Sequence, residues 1–199
     1  PYEAPEEPAQ PWHGANRRRA SPVKPPVFPE RSIAMQLSLR PAREADIPFL
    51  TAVYNQAIAA GNCTCDTEAV TEENRRAFLA AHQDPRYPLL LCLADGEPAG
   101  CGYLSAYRPG RQAVGHVAEV SYYLDFRRHG QGIGSWLLPR METEARKLGY
   151  ETLLAILLAG NAPSLALLRK NGYQEWGRLP AVAHLADTQQ DHLILGKHL

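Results

Sequence analysis

An excess of charge of either sign is what this sequence lacks: 21 Lys and Arg balance 21 Asp and Glu over 199 residues, for a formal net charge of zero. Nothing in that balance supplies the long-range attraction on which nucleic-acid binding depends, so no nucleic-acid partner is expected. Cysteine is scarce. Cys63, Cys65, Cys92 and Cys101 show neither zinc-finger spacing nor the density of a small secreted disulfide scaffold, which fits reduced thiols in a cytoplasmic protein. The Cys63-x-Cys65 pair raises metal or redox work, but it has no His or Cys partner near it in sequence, and no metal is expected. No apolar run reaches the roughly 20 residues that a membrane-spanning helix needs, and the N-terminus has no apolar signal stretch. A soluble, cytoplasmic protein without a membrane partner is the expectation.

What is present is enough apolar material for a full-sized core, 45% of the chain. It is unevenly placed. Residues 1–34 are crowded with proline (Pro1, Pro5, Pro8, Pro11, Pro22, Pro25, Pro26, Pro29) and carry Arg17, Arg18 and Arg19, a composition that builds no core. They read as a disordered or extended leader, derived from upstream sequence or added in cloning, whose Arg run is a solvated charge cluster or a contact for an acidic partner. The domain is expected over residues 35–199, opening at Met35 with the alternation Leu37-Ser38-Leu39-Arg40 of a first strand.

From there helix and strand signals alternate. Asp46 and Pro48 predict a helix start ahead of Phe49–Ile58, ending by Gly61. Thr71–His82 has helical residue choice, and Leu89–Ala94, the Asp95-Gly96 turn and Ala99–Tyr107 read as a hairpin. Val114–Leu124 is extended. A glycine-rich turn follows, then a helix over about Gly132–Leu148, an apolar strand at Thr152–Leu158, and a helix over Pro163–Lys170 stopped by Asn171-Gly172. Tyr173–Leu199 holds two more strands. The fold class is α/β with a mixed sheet.

The run Arg127-Arg128-His129-Gly130-Gln131-Gly132-Ile133-Gly134-Ser135 lies between strand and helix, where residues without side chains let backbone amides approach an anion and the helix N-terminus adds orphan donors. A pyrophosphate cradle and a turn that merely needs positive φ both satisfy that pattern. The dinucleotide fingerprint fails because Ser135 stands at its third glycine, and a P-loop lacks its Gly-Lys-Ser/Thr.

Taken in order, Glu119-Val120-Ser121-Tyr122-Tyr123-Leu124, the glycine run, Trp136-Leu137-Leu138, Asn161-Ala162-Pro163-Ser164 and Asn171-Gly172-Tyr173 resemble the GNAT superfamily of N-acetyltransferases, and within it the phosphinothricin and methionine sulfone/sulfoximine acetyltransferase group. The resemblance runs from about Leu37 to the C-terminus. It implies a mostly antiparallel mixed sheet flanked by helices, acetyl-CoA as co-substrate and a small-molecule amine as acceptor. It also implies that Tyr122, Tyr123 and Leu124 lie on a strand splayed from its neighbour, with the pantetheine arm pairing to their backbone. His129, Gly130, Gln131, Gly132, Ile133, Gly134 and Ser135 would hold the pyrophosphate, with His129 standing where the family has Gln or Arg and with Arg127 or Arg128 supplying charge. Asn161 and Ser164 would line the CoA cleft, although Ser164 is equally an ordinary helix-start residue.

Acyl transfer to an amine sets its own demands. An alkylamine with a pKa of roughly 10 arrives protonated, so a general base is needed. By resemblance that base is Glu119, which read alone is a solvent-facing or ion-paired residue. A backbone N–H near Leu124 would steady the oxyanion. At the place where the family carries Tyr or His to help the leaving thiolate stands Leu168, which donates nothing. Tyr123, Tyr103, Tyr107 and His116 are the alternatives, or CoA leaves as a thiolate. Arg108 and Arg111, in the loop before the catalytic strand, match basic substrate residues and suit a carboxylate or phosphinate, unless they are simply solvated. Val114 and Cys65 stand where the family has aromatics, which leaves open whether the acceptor is one of the group's namesakes. A non-catalytic acyl-CoA-binding module, an acetyltransferase of protein N-termini and a homodimeric structural role stay open.

Overall fold

The structure is a computed structural model that describes residues 35–186 and 188–199; the expected leader over 1–34 lies outside the described residues. Seven strands and four helices follow the alternation in the sequence. They are β1 (Leu37–Pro41), α1 (Ile47–Ala59), α2 (Glu72–Ala81), β2 (Leu89–Ala94), β3 (Glu97–Ala106), β4 (Val117–Leu124), α3 (Ile133–Lys147), β5 (Thr152–Leu158), α4 (Ala162–Lys170), β6 (Gln174–Leu185) and β7 (Thr188–His198). None of these helices is long and apolar enough to cross a membrane.

Local chemistry explains most boundaries. Thr71 starts α2 by accepting from the Asn74 N–H at 3.2 Å, while the Asn74 side-chain oxygen accepts from the Thr71 N–H at 2.9 Å. Asp46 works differently from the helix cap that the sequence suggests. Its carboxylate accepts two bonds from Arg40, at 2.7 and 2.8 Å, and one from the Arg43 N–H at 2.8 Å, so it ties the entrance of α1 back to β1. Arg40 accordingly holds the Asp46 carboxyl below the usual range. Strand β4 opens at Val117 rather than Val114, because Gln112–Val114 form a turn of 3₁₀ helix.

The strands form one sheet in the order β1-β2-β3-β4-β5-β7-β6, and β4/β5 is its parallel pair. Helices cover both faces. Ile133, Leu137, Leu138, Met141 and Ala145 of α3, with Leu168 of α4, pack on Leu104, Ala118, Val120 and Leu153 of the sheet. Ile47, Leu50 and Val53 of α1 and Leu79 of α2 pack with Leu89, Leu91 and Cys101 on the other face. Because strand side chains alternate, Ala118, Val120, Tyr122 and Leu124 face the α3/α4 layer, while Glu119, Ser121 and Tyr123 face the α1/α2 layer.

The decisive feature is where β4 and β5 part. Val117, Ala118 and Glu119 pair with Thr152, Leu153 and Leu154, and the ladder stops there. Beyond it, β4 stays paired to β3 up to Gly100↔Leu124, and β5 stays paired to β7 up to Leu158↔His192. Two strands held on their outer sides therefore diverge from a fork at Glu119. Packing between β3 and the far end of β4 is tight: a Cβ on Gly100 would lie 2.6 Å from the Tyr123 carbonyl oxygen and 3.2 Å from the Leu124 Cα. Gly100→Ala is expected to push β3 from β4 and to destabilise the fold by about 1–3 kcal/mol, measured as a lower urea midpoint at unchanged m-value; an unaltered midpoint would show that the strands yield freely.

Candidate active site

The fork exposes backbone. The Asp125 N–H donates to the Ala99 carbonyl of β3 at 3.0 Å, so by strand alternation the N–H and C=O of Tyr122 and Leu124 point the other way, into the gap. A buried strand edge with unpaired amides needs partners. An extended chain carrying amides of its own can supply them.

A cavity of about 420 Å³ opens along this edge. Every residue expected from the sequence to hold cofactor lines it except Gln131: Tyr122, Tyr123 and Leu124 from β4, His129, Gly130, Gly132, Ile133, Gly134 and Ser135 from the turn and α3, and Asn161 and Ser164 from the start of α4. The Gln131 side chain instead donates to the Arg127 carbonyl at 3.2 Å, outside the cavity. Ala57, Cys63, Phe126, Arg128, Pro163 and Leu167 complete the lining. Of these, Cys63 carried no signal in the sequence beyond its odd C-x-C spacing; the loop after α1 brings it in.

Glycine serves the turn in two ways. Gly130 and Gly132 sit at φ of +74° and +80°, a region costly to residues with a Cβ. Gly134 is already helical, but a Cβ there would lie 2.9 Å from Leu167 Cδ2, so its bareness lets α4 close against α3. The turn thus presents open backbone amides above the N-terminus of a 15-residue helix, the arrangement that attracts a pyrophosphate.

Charge beside the turn is divided between neighbouring arginines. Asp125, 2% exposed, accepts from the Arg127 N–H at 3.0 Å and from its guanidinium at 2.6 Å, which holds the carboxyl down at about 2. The Asp125 carboxylate thereby occupies Arg127 and braces the turn. Arg128 lines the cavity, leaving it as the cation that can face a phosphate. His129 lines the cavity while its Nε2 lies 3.2 Å from the Leu124 carbonyl, back across the end of β4.

Glu119 stands at the fork itself, the last β4 residue paired to β5. It is half-buried, burial raises its pKa above the usual carboxylate value, and among the described residues its side chain makes no hydrogen bond or ion pair. A carboxylate in that state is basic and unengaged. Tyr123, two turns of the pleat further, lines the cavity but its ring belongs to the α1/α2 layer. It meets Tyr54 edge-on at 4.9 Å and stacks with Tyr103 at 6.3 Å, and burial drives its hydroxyl well above its ordinary pKa. Of the other expected donors, Tyr103 shares that cluster and Tyr107 lies elsewhere.

Arg108 and Arg111 line a separate cavity of about 170 Å³, with Arg86 as a third guanidinium. Val117 lines it too, two residues before Glu119 and so about 7 Å along the strand. Cys65 is exposed, with Sγ 3.7 Å from His192 Nε2.

These features match known proteins over the same stretch. The model of the acetyltransferase (GNAT) family matches residues 50–173. A Bacillus subtilis protein named as a candidate phosphinothricin acetyltransferase is 36% identical over 82% of this chain and 99% of its own. The L-methionine sulfoximine/L-methionine sulfone acetyltransferase of Pseudomonas paraeruginosa is 33% identical over 74% of this chain and 86% of its own. The crystal structure of a phosphinothricin acetyltransferase from Sinorhizobium meliloti in complex with acetyl-CoA superposes with a TM-score of 0.77 at 26% identity, over 82% of this chain and 88% of that one. With the forked sheet, the glycine turn and the family match in agreement, this chain belongs to the GNAT family of acyl-CoA-dependent N-acetyltransferases.

Proposed function

We propose that this enzyme transfers the acetyl group of acetyl-CoA to the primary amine of a small, amino-acid-like acceptor by direct attack, with Glu119 as general base. The observation that carries the reading is the unengaged, half-buried carboxylate of Glu119 at the fork of β4 and β5. The cavity along β4 fits the co-substrate: its free strand edge suits the amides of the pantetheine arm, and its glycine turn and Arg128 suit the pyrophosphate. Acetyl-CoA laid along that edge carries its thioester to the fork. There Glu119 faces the α1/α2 layer and takes the ammonium proton, and the Leu124 N–H, pointing into the gap, steadies the oxygen as it gains charge.

The acceptor class is supported by the relatives named for phosphinothricin and for methionine sulfoximine or sulfone, and by the arginine-lined cavity one pleat repeat from Glu119. A carboxylate held by Arg108 and Arg111 would leave an α-amine within reach of Glu119.

Release of CoA should be measured against a panel holding phosphinothricin, methionine sulfone, aromatic amino acids and short peptides. Turnover is expected on a small amino acid, and Glu119→Gln should lower kcat/KM by about 10²- to 10⁴-fold. Since burial raises the Glu119 pKa, the basic form is lost on acidification above the usual carboxylate value of about 4.3; the wild-type acid limb should lie there and vanish in Glu119→Gln. Acetyl-CoA binding with no turnover on any acceptor would count for a non-catalytic binding module, and turnover on peptides alone for a protein acceptor.

Two further variants separate the subsites. Gly132→Ala, forced to keep φ near +80°, should cost roughly 1–2 kcal/mol and raise the KM for acetyl-CoA without moving that of the acceptor. Arg108→Ala/Arg111→Ala should do the reverse, raising the acceptor KM by about tenfold or more. Equal effects on both constants would disconnect the arginine cavity from the acceptor.

A further inference from the structure

The cofactor side of the fork holds a phenol for which the transfer described so far has no use. Tyr122 adjoins Tyr123 in sequence but faces the α3/α4 layer, away from the cluster of Tyr54, Tyr103 and Tyr123. Its hydroxyl lies 2.6 Å from Ser164 Oγ. Both residues line the main cavity, and both also line a gap of about 50 Å³ between the diverging strands, with Val120 and Ile156 on its walls. Ser164 is itself fixed: it is the third residue of α4, and its N–H donates to the Asn161 side chain at 3.2 Å. Leu168, one turn further along α4, borders the same gap at 1% exposure. Its side chain can donate nothing, so the gap has no donor from that wall.

The chemistry needs one. When the amine nitrogen bonds to the thioester carbon and the C–S bond breaks, the electron pair stays on sulfur. A thiolate forming in so confined a gap, out of bulk water, gains most from an O–H aimed at it in advance. Among the described residues, three that carry a hydroxyl line both the cavity and the gap: Tyr122, Tyr123 and Ser164. Tyr123 is committed to the opposite face. The remaining two are bonded to each other, and the arrangement in which Ser164 donates to the Tyr122 oxygen leaves the phenol proton free for a further acceptor.

We propose that Tyr122, oriented by a hydrogen bond from Ser164, is the catalytic residue that stabilises the departing CoA sulfur, in place of a donor at position 168. Burial holds the phenol at about 12, so it stays protonated throughout the working range. Against a thiol of pKa about 8.5 it keeps its proton and acts as a hydrogen-bond donor. The amine's protons leave through Glu119 and solvent, and the thiolate is protonated by solvent on release. Tyr122 is a phenol before and after the step. Ser164 is a positioning residue.

The inference rests on the acetyl-transfer reading, and two measurements keep the two apart. The first is the single-turnover rate of CoA release from acetyl-CoA. Tyr122→Phe, nearly isosteric, should slow it by about 10- to 100-fold with acetyl-CoA affinity by calorimetry unchanged. Adding Leu168→His to Tyr122→Phe should recover part of the rate from the facing wall. Ser164→Ala should slow release less, with Ser164→Thr restoring it. The second needs no acceptor: wild type should bind CoA more tightly than desulfo-CoA at pH 8, and Tyr122→Phe should lose that preference. An unchanged single-turnover rate and an intact preference for CoA in Tyr122→Phe would overturn the role of Tyr122 while leaving transfer standing. A wild type that transfers to no amine, yet prefers CoA in a Tyr122-dependent way, would overturn the transfer reading and support the sulfur contact.

Discussion

Everything at the centre of this enzyme follows from hydrogen bonds that β4 and β5 do not make with each other. The pair closes over Val117–Glu119 and then opens, while each strand remains laddered to its outer neighbour. A strand edge cannot be left dry and unpaired without a penalty for each orphaned amide. The gap is therefore a demand as well as a space, and an extended ligand that brings its own amides meets it. The glycine turn sits where such a ligand would arrive, because the same strand that opens the gap runs directly into it.

The pleat of β4 then divides the labour. Successive side chains leave opposite faces, so neighbouring positions serve two layers. Glu119 and Tyr123 look toward α1 and α2, where Arg75 lies over the Tyr54 ring at 4.0 Å and the Tyr54 hydroxyl donates a hydrogen bond to Asp66 at 2.7 Å. Tyr122 and Leu124 look toward α3 and α4 and the CoA side. One strand thus sends Glu119, the proposed base, and Tyr122, the proposed leaving-group donor, to opposite faces of the sheet.

The turn after β4 shows how a buried charge organises an exposed site. Asp125 is held at 2% exposure by the Arg127 guanidinium, its own turn's N–H and Gln56, whose side chain also accepts from the Phe126 N–H at 2.9 Å. That bracing links α1 to the mouth of the cavity. It also makes adjacent arginines unequal: one completes the scaffold, the other lines the cavity.

Much of the fold was readable from residue order, since each clue acts within a few residues: Asp95-Gly96 between apolar runs, Thr71 with Asn74, the glycines ahead of an apolar helix, Asn171-Gly172 after α4. The lining of the cavity along β4 was largely readable for the same reason, because one contiguous loop and one helix start build most of it. What the sequence by itself determined is therefore the chain of elements, the glycine turn and the residue types available for the chemistry. Tertiary structure alone decided which of two adjacent tyrosines faces the α3/α4 layer, that Asp46 binds Arg40 instead of capping α1, that Arg127 is occupied while Arg128 lines the cavity, that Gln131 turns away, and that Ser164 reaches Tyr122 across 42 residues. Those outcomes depend on where the β4/β5 ladder stops and on which helix packs over each face, and contacts between sequence-distant groups leave no periodic trace in the sequence.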